Sequence, residues 1–355
     1  MATPAVVNLR EAEDYDGVIG RAAELVRSGR FVAFPTETVY GIAALADSPD
    51  AIERLRRIKG RPASKPFTIH VADRGAIERH GVRLSTVARR LVNRAWPGPI
   101  TLVLDKADGG TVGLRWPDHP DAQALIRAVG EPMVAPSANR SGEPPAATAA
   151  DVVRALGDSI DLVLDAGGRA RLGRSSTVIR VKDESFEILR AGNVDESLVR
   201  RLTSKIVLFV CTGNTCRSPL AEALCRKMLA ERLGIAPDRL VEKGYVVISA
   251  GTTANFASKA SPAAERAARS PGLDLGAHLS QPLTPELVRQ ADAIYCMTKS
   301  HLDCVLETAP DAADKAELLD RSGADIPDPA GGGVDEYEKC LKGIERSLRA
   351  IVPKL

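Results

Sequence analysis

Residues 210–219 read V-C-T-G-N-T-C-R-S-P, and no other stretch constrains this chain as tightly. They follow an apolar run rich in β-branched residues, Ile206-Val207-Leu208-Phe209-Val210, the pattern of a buried strand. They lead into Ser218 and Pro219, residue types suited to the cap and first turn of a helix, and Leu220, Leu224 and Met228 then share one helical face. A strand, a short loop and a helix N-terminus cradle an anion, because backbone N–H groups converge in the loop and the helix dipole adds partial positive charge. Cys211 opens the loop. The loop's field and Arg217 favour its thiolate, which beside a phosphate nest is a nucleophile for phosphoryl transfer. Neither core packing nor turn chemistry asks for Cys, Asn, Arg and Ser together.

A chain of 355 residues is long for one core, so two domains are expected. A net charge of +2 gives no general attraction to nucleic acid or membranes, and direct DNA binding is not expected. The first residues lack the apolar centre of a signal peptide and no run approaches a membrane span, so a cytoplasmic protein is expected. All six cysteines, Cys211, Cys216, Cys225, Cys296, Cys304 and Cys340, lie in the second half and read mostly as reduced thiols. The five histidines are scattered without metal-ligand spacing, so no metal held by the protein alone is expected.

A polar segment at 191–205 precedes a fresh strand, which sets the expected domains at 1–203 and 204–355. The second alternates strands at 206–210, 245–249 and 293–297 with helices at 219–233, 261–270, 284–290 and 335–352. That is a doubly wound parallel α/β pattern with the Cys211 loop at the carboxyl end of its first strand, where such folds bind ligands. The first half is mixed α/β. A strand at 30–34 runs into Pro35-Thr36-Glu37-Thr38-Val39-Tyr40-Gly41. Asp50 is expected to cap a helix whose Ala51, Leu55 and Ile58 share a face and which stops at Lys59-Gly60-Arg61-Pro62. Strands are expected at 66–71 and, after the stiff turn Trp96-Pro97-Gly98-Pro99, at 100–104; Pro136-Ser137-Ala138-Asn139 closes the run 133–135.

Residues 205–355 resemble the low-molecular-weight protein tyrosine phosphatase family through C-x5-R-S-P and the downstream pair Asp328-Pro329, followed by a glycine run and Tyr337. The resemblance implies that Cys211 attacks phosphorus to form a phosphocysteine. Arg217 and the loop Thr212, Gly213, Asn214, Thr215, Cys216 would hold the equatorial oxygens, Asn214 bracing the loop and Ser218 donating to the thiolate. Asp328 would protonate the leaving group and then activate water, with no cofactor. Tyrosine phosphatases of this family usually carry an aliphatic residue at position 215, whereas the protein-arginine-phosphatase branch carries the threonine found here. Phosphoarginine is therefore favoured over phosphotyrosine. Relatives usually follow Asp-Pro with an aromatic wall, and here Ala330-Gly331-Gly332-Gly333 stands instead, which should leave the acid loop mobile. A regulatory pseudo-phosphatase therefore stays open as an alternative. Cys216 is open between a reversible disulfide with Cys211 and a packing role. Arsenate reduction relayed through Cys296 and Cys304 is a further alternative, although Cys296 lies in an apolar strand and reads as core.

Residues 8–200 resemble the YrdC family, the threonylcarbamoyl-AMP synthases. The strings are Pro35 to Gly41, Lys59-Gly60-Arg61-Pro62 with Ser64-Lys65-Pro66, Trp96 to Pro99 with Thr101, Leu114-Arg115-Trp116-Pro117, Pro136 to Asn139, Ser176-Thr177-Val178 and Arg190-Ala191-Gly192. The resemblance implies synthesis of threonylcarbamoyladenylate from threonine, bicarbonate and ATP, with Mg²⁺ escorting the phosphates. Lys59, Arg61, Lys65, Arg115 and Arg190 would supply charge, and Ser137 and Asn139, with Ser176 or Thr177, would hold the phosphates. Thr36, Thr38 and Tyr40 would line the threonine pocket. The product would feed tRNA modification completed by other proteins; an RNA-binding module is the competing view. The expected whole is α/β throughout: a YrdC-like twisted mixed sheet with helices around an open cavity, fused to the doubly wound phosphatase fold.

Overall fold

A computed structural model describes residues 4–269 and 273–355. The chain divides into two units, one ending at Leu202 and one beginning at Thr203. Short apolar runs buried on both faces form central strands of each sheet, and polar strings between them form the loops that carry the chemistry.

The N-terminal unit holds a ten-stranded mixed sheet: β1 (Ala5–Asn8), β2 (Val32–Phe34), β3 (Gly41–Leu45), β4 (Ile69–His70), β5 (Ile100–Asp105), β6 (Thr111–Arg115), β7 (Met133–Val134), β8 (Leu162–Asp165), β9 (Thr177–Lys182) and β10 (Ser185–Arg190). Their spatial order is β1-β8-β2-β3-β7-β4-β6-β5-β9-β10. In β2 the side chains alternate between two cores: Val32 and Phe34 join one, Ala33 with the preceding Phe31 the other. A strand covered on both faces reads as a continuous apolar run, which is how it looks in the sequence. The motif Pro35 to Tyr40 connects β2 to β3, Arg115 ends β6, and Ser176 immediately precedes β9.

The C-terminal unit is a four-stranded, wholly parallel sheet of β11 (Lys205–Cys211), β12 (Tyr245–Gly251), β13 (Ala293–Cys296) and β14 (Ala316–Leu318), in the order β12-β11-β13-β14. Val207, Phe209 and Cys211 point into one core and Ile206, Leu208 and Val210 into the other. Pairing with β12 continues to Cys211 opposite Gly251, so the cysteine sits at the carboxyl end of an interior strand.

Local differences from the sequence-based expectations have identifiable causes. The helix after the Cys211 loop starts at Arg217 and runs to Leu233, and no side chain caps it. The Ser218 hydroxyl, expected as a cap, is buried and bonded inside the loop. The helix Pro49–Lys59 is capped by Ser48, whose side chain accepts from the Ala51 N–H at 3.3 Å, and Asp50 lies in its first turn; Ile58 packs against the core that Ala51 and Leu55 enter, as expected, and Lys59 is buried as well. The strand expected at 66–71 shortens to Ile69–His70, since Pro66 has no N–H to offer a ladder. The helix expected at 261–270 spans Pro262–Arg269, and residue 270 lies outside the described residues. Among the described residues no helix is long and apolar enough to cross a membrane.

Candidate functional site

In the C-terminal unit the loop is organised around the Cys211 sulfur, 2% exposed at the end of β11. The Asn214 N–H donates to Cys211 Sγ at 3.3 Å, and Ser218 Oγ lies 3.0 Å from the same sulfur. Asn214 holds φ +54°, the left-handed conformation that asparagine tolerates better than most residues and that turns the loop back on the sulfur. The directions of its bonds are determined. Gln281 N–H donates to Asn214 Oδ1 at 2.9 Å, so the two amide hydrogens go to Ser218 Oγ at 2.9 Å and Ser249 Oγ at 2.8 Å. Ser249, having accepted, donates to Glu222 Oε2 at 2.7 Å. Ser218, having accepted, keeps its own hydrogen, with Cys211 Sγ at 3.0 Å and the Ala250 carbonyl at 3.5 Å within its reach. His278 Nε2 lies 2.8 Å from the Asn214 carbonyl and so carries a proton. Burial raises the Glu222 carboxyl above its ordinary pKa, against the opposing bond from Ser249. Gly251 is obligatory here: a Cβ would stand 2.4 Å from the Thr212 carbonyl and 2.9 Å from the Asn214 nitrogen.

At the mouth, the buried Arg217 guanidinium donates through Nη1 to the Ile326 carbonyl at 3.3 Å and through Nη2 to Thr212 Oγ1 at 3.3 Å and Asp328 Oδ2 at 2.5 Å. The Asp328 side chain is 48% exposed, and its Oδ1 accepts from the Ala330 N–H at 3.1 Å. Thr212 Oγ1 also lies 2.9 Å from His301 Nε2, whose Nδ1 is 2.7 Å from Thr298 Oγ1. Burial first, and Arg217 second, lower the His301 pKa, which favours the neutral imidazole. Thr215 is half-buried with Oγ1 3.6 Å from Cys216 Sγ. The same sulfur lies 3.2 Å from Tyr337 OH and 3.4 Å from Ser261 Oγ. All six cysteines are free thiols. Cys296 is buried in β13, and desolvation pushes its thiol up to about 12, which fits core packing and suits a disulfide relay poorly.

The N-terminal unit gathers the expected cations into one electrostatic neighbourhood. Burial, and next Arg61, hold the Lys59 ammonium down at about 8. Burial, then Arg115, then Arg61, lower Arg190. Lys59 Nζ donates to the carbonyls of Ser137, at 2.5 Å, and Asn139, and lies 3.4 Å from Ser137 Oγ. Arg190 Nη2 reaches the Ser176 carbonyl at 2.9 Å and its Oγ at 3.2 Å, and Ser176 Oγ meets Thr101 Oγ1 at 2.9 Å. Arg61 donates to the Lys65 and Pro66 carbonyls and lies over the Phe67 ring, while Lys65 itself is exposed. Mutually repelling, partly desolvated cations focus a positive field suited to a polyanion.

Three expected residues have other partners. Thr177 exchanges bonds with the Val194 backbone, accepting at 2.9 Å and donating at 2.8 Å. Thr36 Oγ1 closes its own turn, accepting from the Thr38 and Val39 N–H groups and donating to the Val39 carbonyl at 2.5 Å. Tyr40 OH donates to Asp165 Oδ1 at 3.2 Å. Tyr40 and Thr36 also line a cavity of about 330 Å³ with Arg10, Glu37, Asp118 and His119. Thr38 accepts from Arg115 Nη2 at 2.7 Å.

Sequence reasoning missed Glu37, 1% exposed, which holds Arg115 at 2.8 Å, and His70, whose pKa burial and then Arg115 lower to about 3. It also missed Glu222, Ser249, His278 and Gln281. Glu37 sits inside a string already noted; the others carry no local signal. Among the described residues no group of three or more His, Cys, Asp or Glu is placed to hold a metal.

Comparison with known proteins covers both units. Residues 24–192 match the Sua5_yciO_yrdC family model, described as telomere recombination, and residues 206–355 match the low molecular weight phosphotyrosine protein phosphatase model. A threonylcarbamoyl-AMP synthase from Nitrosococcus oceani is 35% identical over 43% of this chain and 88% of its own. The P. abyssi Sua5 structure complexed with L-threonine is 26% identical, covering 70% of this chain and 92% of that one, with a TM-score of 0.52. The YwlE arginine phosphatase from Geobacillus stearothermophilus is 34% identical over 42% of this chain and 92% of its own, with a TM-score of 0.37. This chain spans 59% and 61% of the lengths of the first two curated synthases it matches.

Proposed function

This chain belongs to the Sua5/YciO/YrdC family and joins to that domain a low-molecular-weight phosphotyrosine protein phosphatase domain; from that premise we propose that it is a bifunctional enzyme. The N-terminal domain makes L-threonylcarbamoyladenylate. The threonine amine and bicarbonate form a carbamate with loss of water, a carbamate oxygen attacks the α-phosphorus of ATP, and pyrophosphate leaves. Lys59, Arg61, Arg115 and Arg190, with Lys65 at the rim, neutralise the phosphates, and Ser137, Asn139 and Ser176 orient them. Catalysis here is positioning and charge neutralisation without a protein nucleophile. Mg²⁺ would accompany the phosphates; the side chains facing them are cations and hydroxyls, and the buried carboxylate nearby, Glu37, is already held by Arg115. The threonine substrate follows from the L-threonine held by the P. abyssi relative. The adenylate would pass to the proteins that complete threonylcarbamoyl modification of tRNA.

The C-terminal domain hydrolyses phosphoprotein. Cys211 attacks phosphorus as thiolate, Arg217 and the loop amides hold the equatorial oxygens, and Asp328 protonates the leaving group before activating water against the phosphocysteine. The supporting observation is the hydrogen-bond network of Glu222, Ser249, Asn214 and Ser218, which sets the Asn214 N–H 3.3 Å and the Ser218 hydroxyl 3.0 Å from Cys211 Sγ. Phosphoarginine is the favoured substrate, because the Thr215 hydroxyl offers a polar partner for a phosphoguanidinium where an aliphatic residue would favour an aromatic ring. Both activities suit the cytoplasm, where free thiols stay reduced. Cys211→Ala tests the division of labour. It should abolish hydrolysis of an aryl phosphate and leave ATP consumption dependent on threonine and bicarbonate intact; loss of both, or of neither, refutes it. Thr215→Ile should shift preference toward phosphotyrosine, and an unmoved ratio removes the assignment to Thr215.

A further inference from the structure

Residues 297–301 follow β13 and turn into the helix Lys299–Thr308. This segment reaches Arg217 by two routes. The Met297 carbonyl accepts from the Ile326 N–H at 2.7 Å, and the Ile326 carbonyl accepts from Arg217 Nη1 at 3.3 Å. His301 Nε2 lies 2.9 Å from Thr212 Oγ1, which accepts from Arg217 Nη2 at 3.3 Å. The Lys299 N–H donates to Asp325 Oδ1 at 2.8 Å and so pins the residue before Ile326. The Met297 N–H donates to the Val210 carbonyl at 3.0 Å, which fastens the segment itself to β11.

His301 is 4% exposed, and both of its ring nitrogens are engaged. Nδ1 lies 2.7 Å from Thr298 Oγ1, which caps the helix by accepting from the His301 N–H at 3.4 Å. A ring bound in this way has no nitrogen left for a substrate. Burial and the Arg217 charge favour its neutral form, against Asp328 and Asp325, so it adds no second cation beside the guanidinium. Thr212, by contrast, is exposed. Its hydroxyl can turn among staggered rotamers into water unless a partner holds it. Either neutral tautomer of His301 does so. Nε2 accepts the hydroxyl hydrogen or donates to the oxygen, and in both cases a lone pair stays for Arg217.

We propose that His301 is a positioning residue for Arg217: it fixes Thr212 Oγ1, and Thr212 keeps the guanidinium in place once phosphate oxygens displace Asp328 from Nη2. The inference rests on the phosphatase reading. On that reading the Asp328 bond is given up when a phosphate binds, since the carboxyl must serve the leaving group. The Arg217 bonds to Ile326 and Thr212 remain, and both run back to residues 297–301. His301 thus acts through another side chain, and its loss should be felt in the grip on phosphate.

The test uses the full chain and p-nitrophenyl phosphate, with inorganic phosphate as a competitive inhibitor. His301→Leu, which keeps the bulk and removes the polar atoms, should raise the phosphate inhibition constant about fivefold and lower kcat/KM about tenfold. His301→Gln, whose amide can still meet Thr212, should stay within about twofold of wild type on both measures. Thr212→Val should reproduce the leucine variant, and adding His301→Leu to it should cost less than about twofold more. A glutamine enzyme no better than the leucine one overturns the proposal and marks the ring as packing. Additive losses in the double variant overturn it too, because His301 then acts by a route other than Thr212. Where His301→Leu does not fold, Thr212→Val at its exposed position carries the test, and wild-type phosphate affinity in that variant overturns the proposal. A wild-type chain inert toward every phosphate ester overturns the phosphatase reading itself, and this role with it.

Discussion

Asn214→Ala should disable the phosphatase far more than the removal of one surface amide would suggest. The substitution deletes three side-chain bonds, to Ser218, to Ser249 and from Gln281 N–H. The serine hydroxyls can turn to new partners, but the Gln281 N–H loses the acceptor it uses inside the loop's support, a cost of about 1–3 kcal/mol for a buried donor. Alanine must also hold φ +54°, at roughly 1–2 kcal/mol. The loop is thus disfavoured by about 2–5 kcal/mol, partly relieved by relaxation. Ser218, no longer an acceptor for Asn214, is free to favour the Ala250 carbonyl at 3.5 Å over the Cys211 sulfur. A net loss of about 3 kcal/mol corresponds to roughly a hundredfold in rate. Steady-state hydrolysis of p-nitrophenyl phosphate should therefore show kcat down about a hundredfold. Asn214→Gly, which removes the φ cost and leaves the bonds broken, should recover no more than about tenfold of this. ATP consumption by the other domain serves as the internal control and should not move. An Asn214→Ala enzyme within about threefold of wild type would show that the amide does not hold the loop around Cys211, and the role given to its side chain would fall.

Asp328→Asn should slow phenyl phosphate hydrolysis by roughly 10²-fold or more, and p-nitrophenyl phosphate, with its better leaving group, by clearly less; equal losses would refute proton donation. Gly251→Ala drives a Cβ into the Thr212 carbonyl, so it should destabilise the C-terminal unit by about 1–3 kcal/mol and remove phosphatase activity, and unchanged melting and turnover would show that the loop gives way freely. Lys59 has its pKa depressed to about 8, so its positive charge is present below that pH and is lost as pH rises through it. ATP affinity, measured by calorimetry on the intact chain, should weaken by about tenfold between pH 7 and 9, the order of a lost charge-assisted contact, and Lys59→Gln should flatten that dependence. An equal slope in both proteins would remove Lys59 from the phosphate site.

Much of the fold was legible because its central strands are apolar on both faces. The run 206–210 became Lys205–Cys211, and the parallel sheet followed from strands alternating with helices. The Cys211 loop was legible because its chemistry is local in sequence. The supports of that loop were not. Glu222 occupies a helix that would pass for an exposed amphipathic one, and nothing in its neighbours says that it meets Ser249 across the turn of the sheet. The family resemblance makes Lys59 a charge for the phosphates, but its burial was not legible, because a lysine near a helix C-terminus, where the dipole welcomes a cation, is ordinarily solvated and here its turn of helix faces inward. Thr36 and Thr177 receive ligand roles from the family resemblance, and no local signal shows that their hydroxyls bond within the fold.

Composition marks a hydroxyl or a guanidinium as available; only the list of its partners says whether it is. That distinction separates the two buried arginines at the centre of the two sites. Arg115 is paired with Glu37, a carboxylate 1% exposed and anchored beside a strand, and Glu37 cannot leave without orphaning a buried charge. Arg217 is paired with Asp328, whose side chain is 48% exposed and precedes a run of glycines, so the carboxylate can swing away when phosphate oxygens take its place on the guanidinium. The first pairing holds an arginine in place, with its Nε–H left without a partner. On the proposed mechanism the second sets an acid at the pocket mouth, and ties its position to the arrival of the group it would protonate.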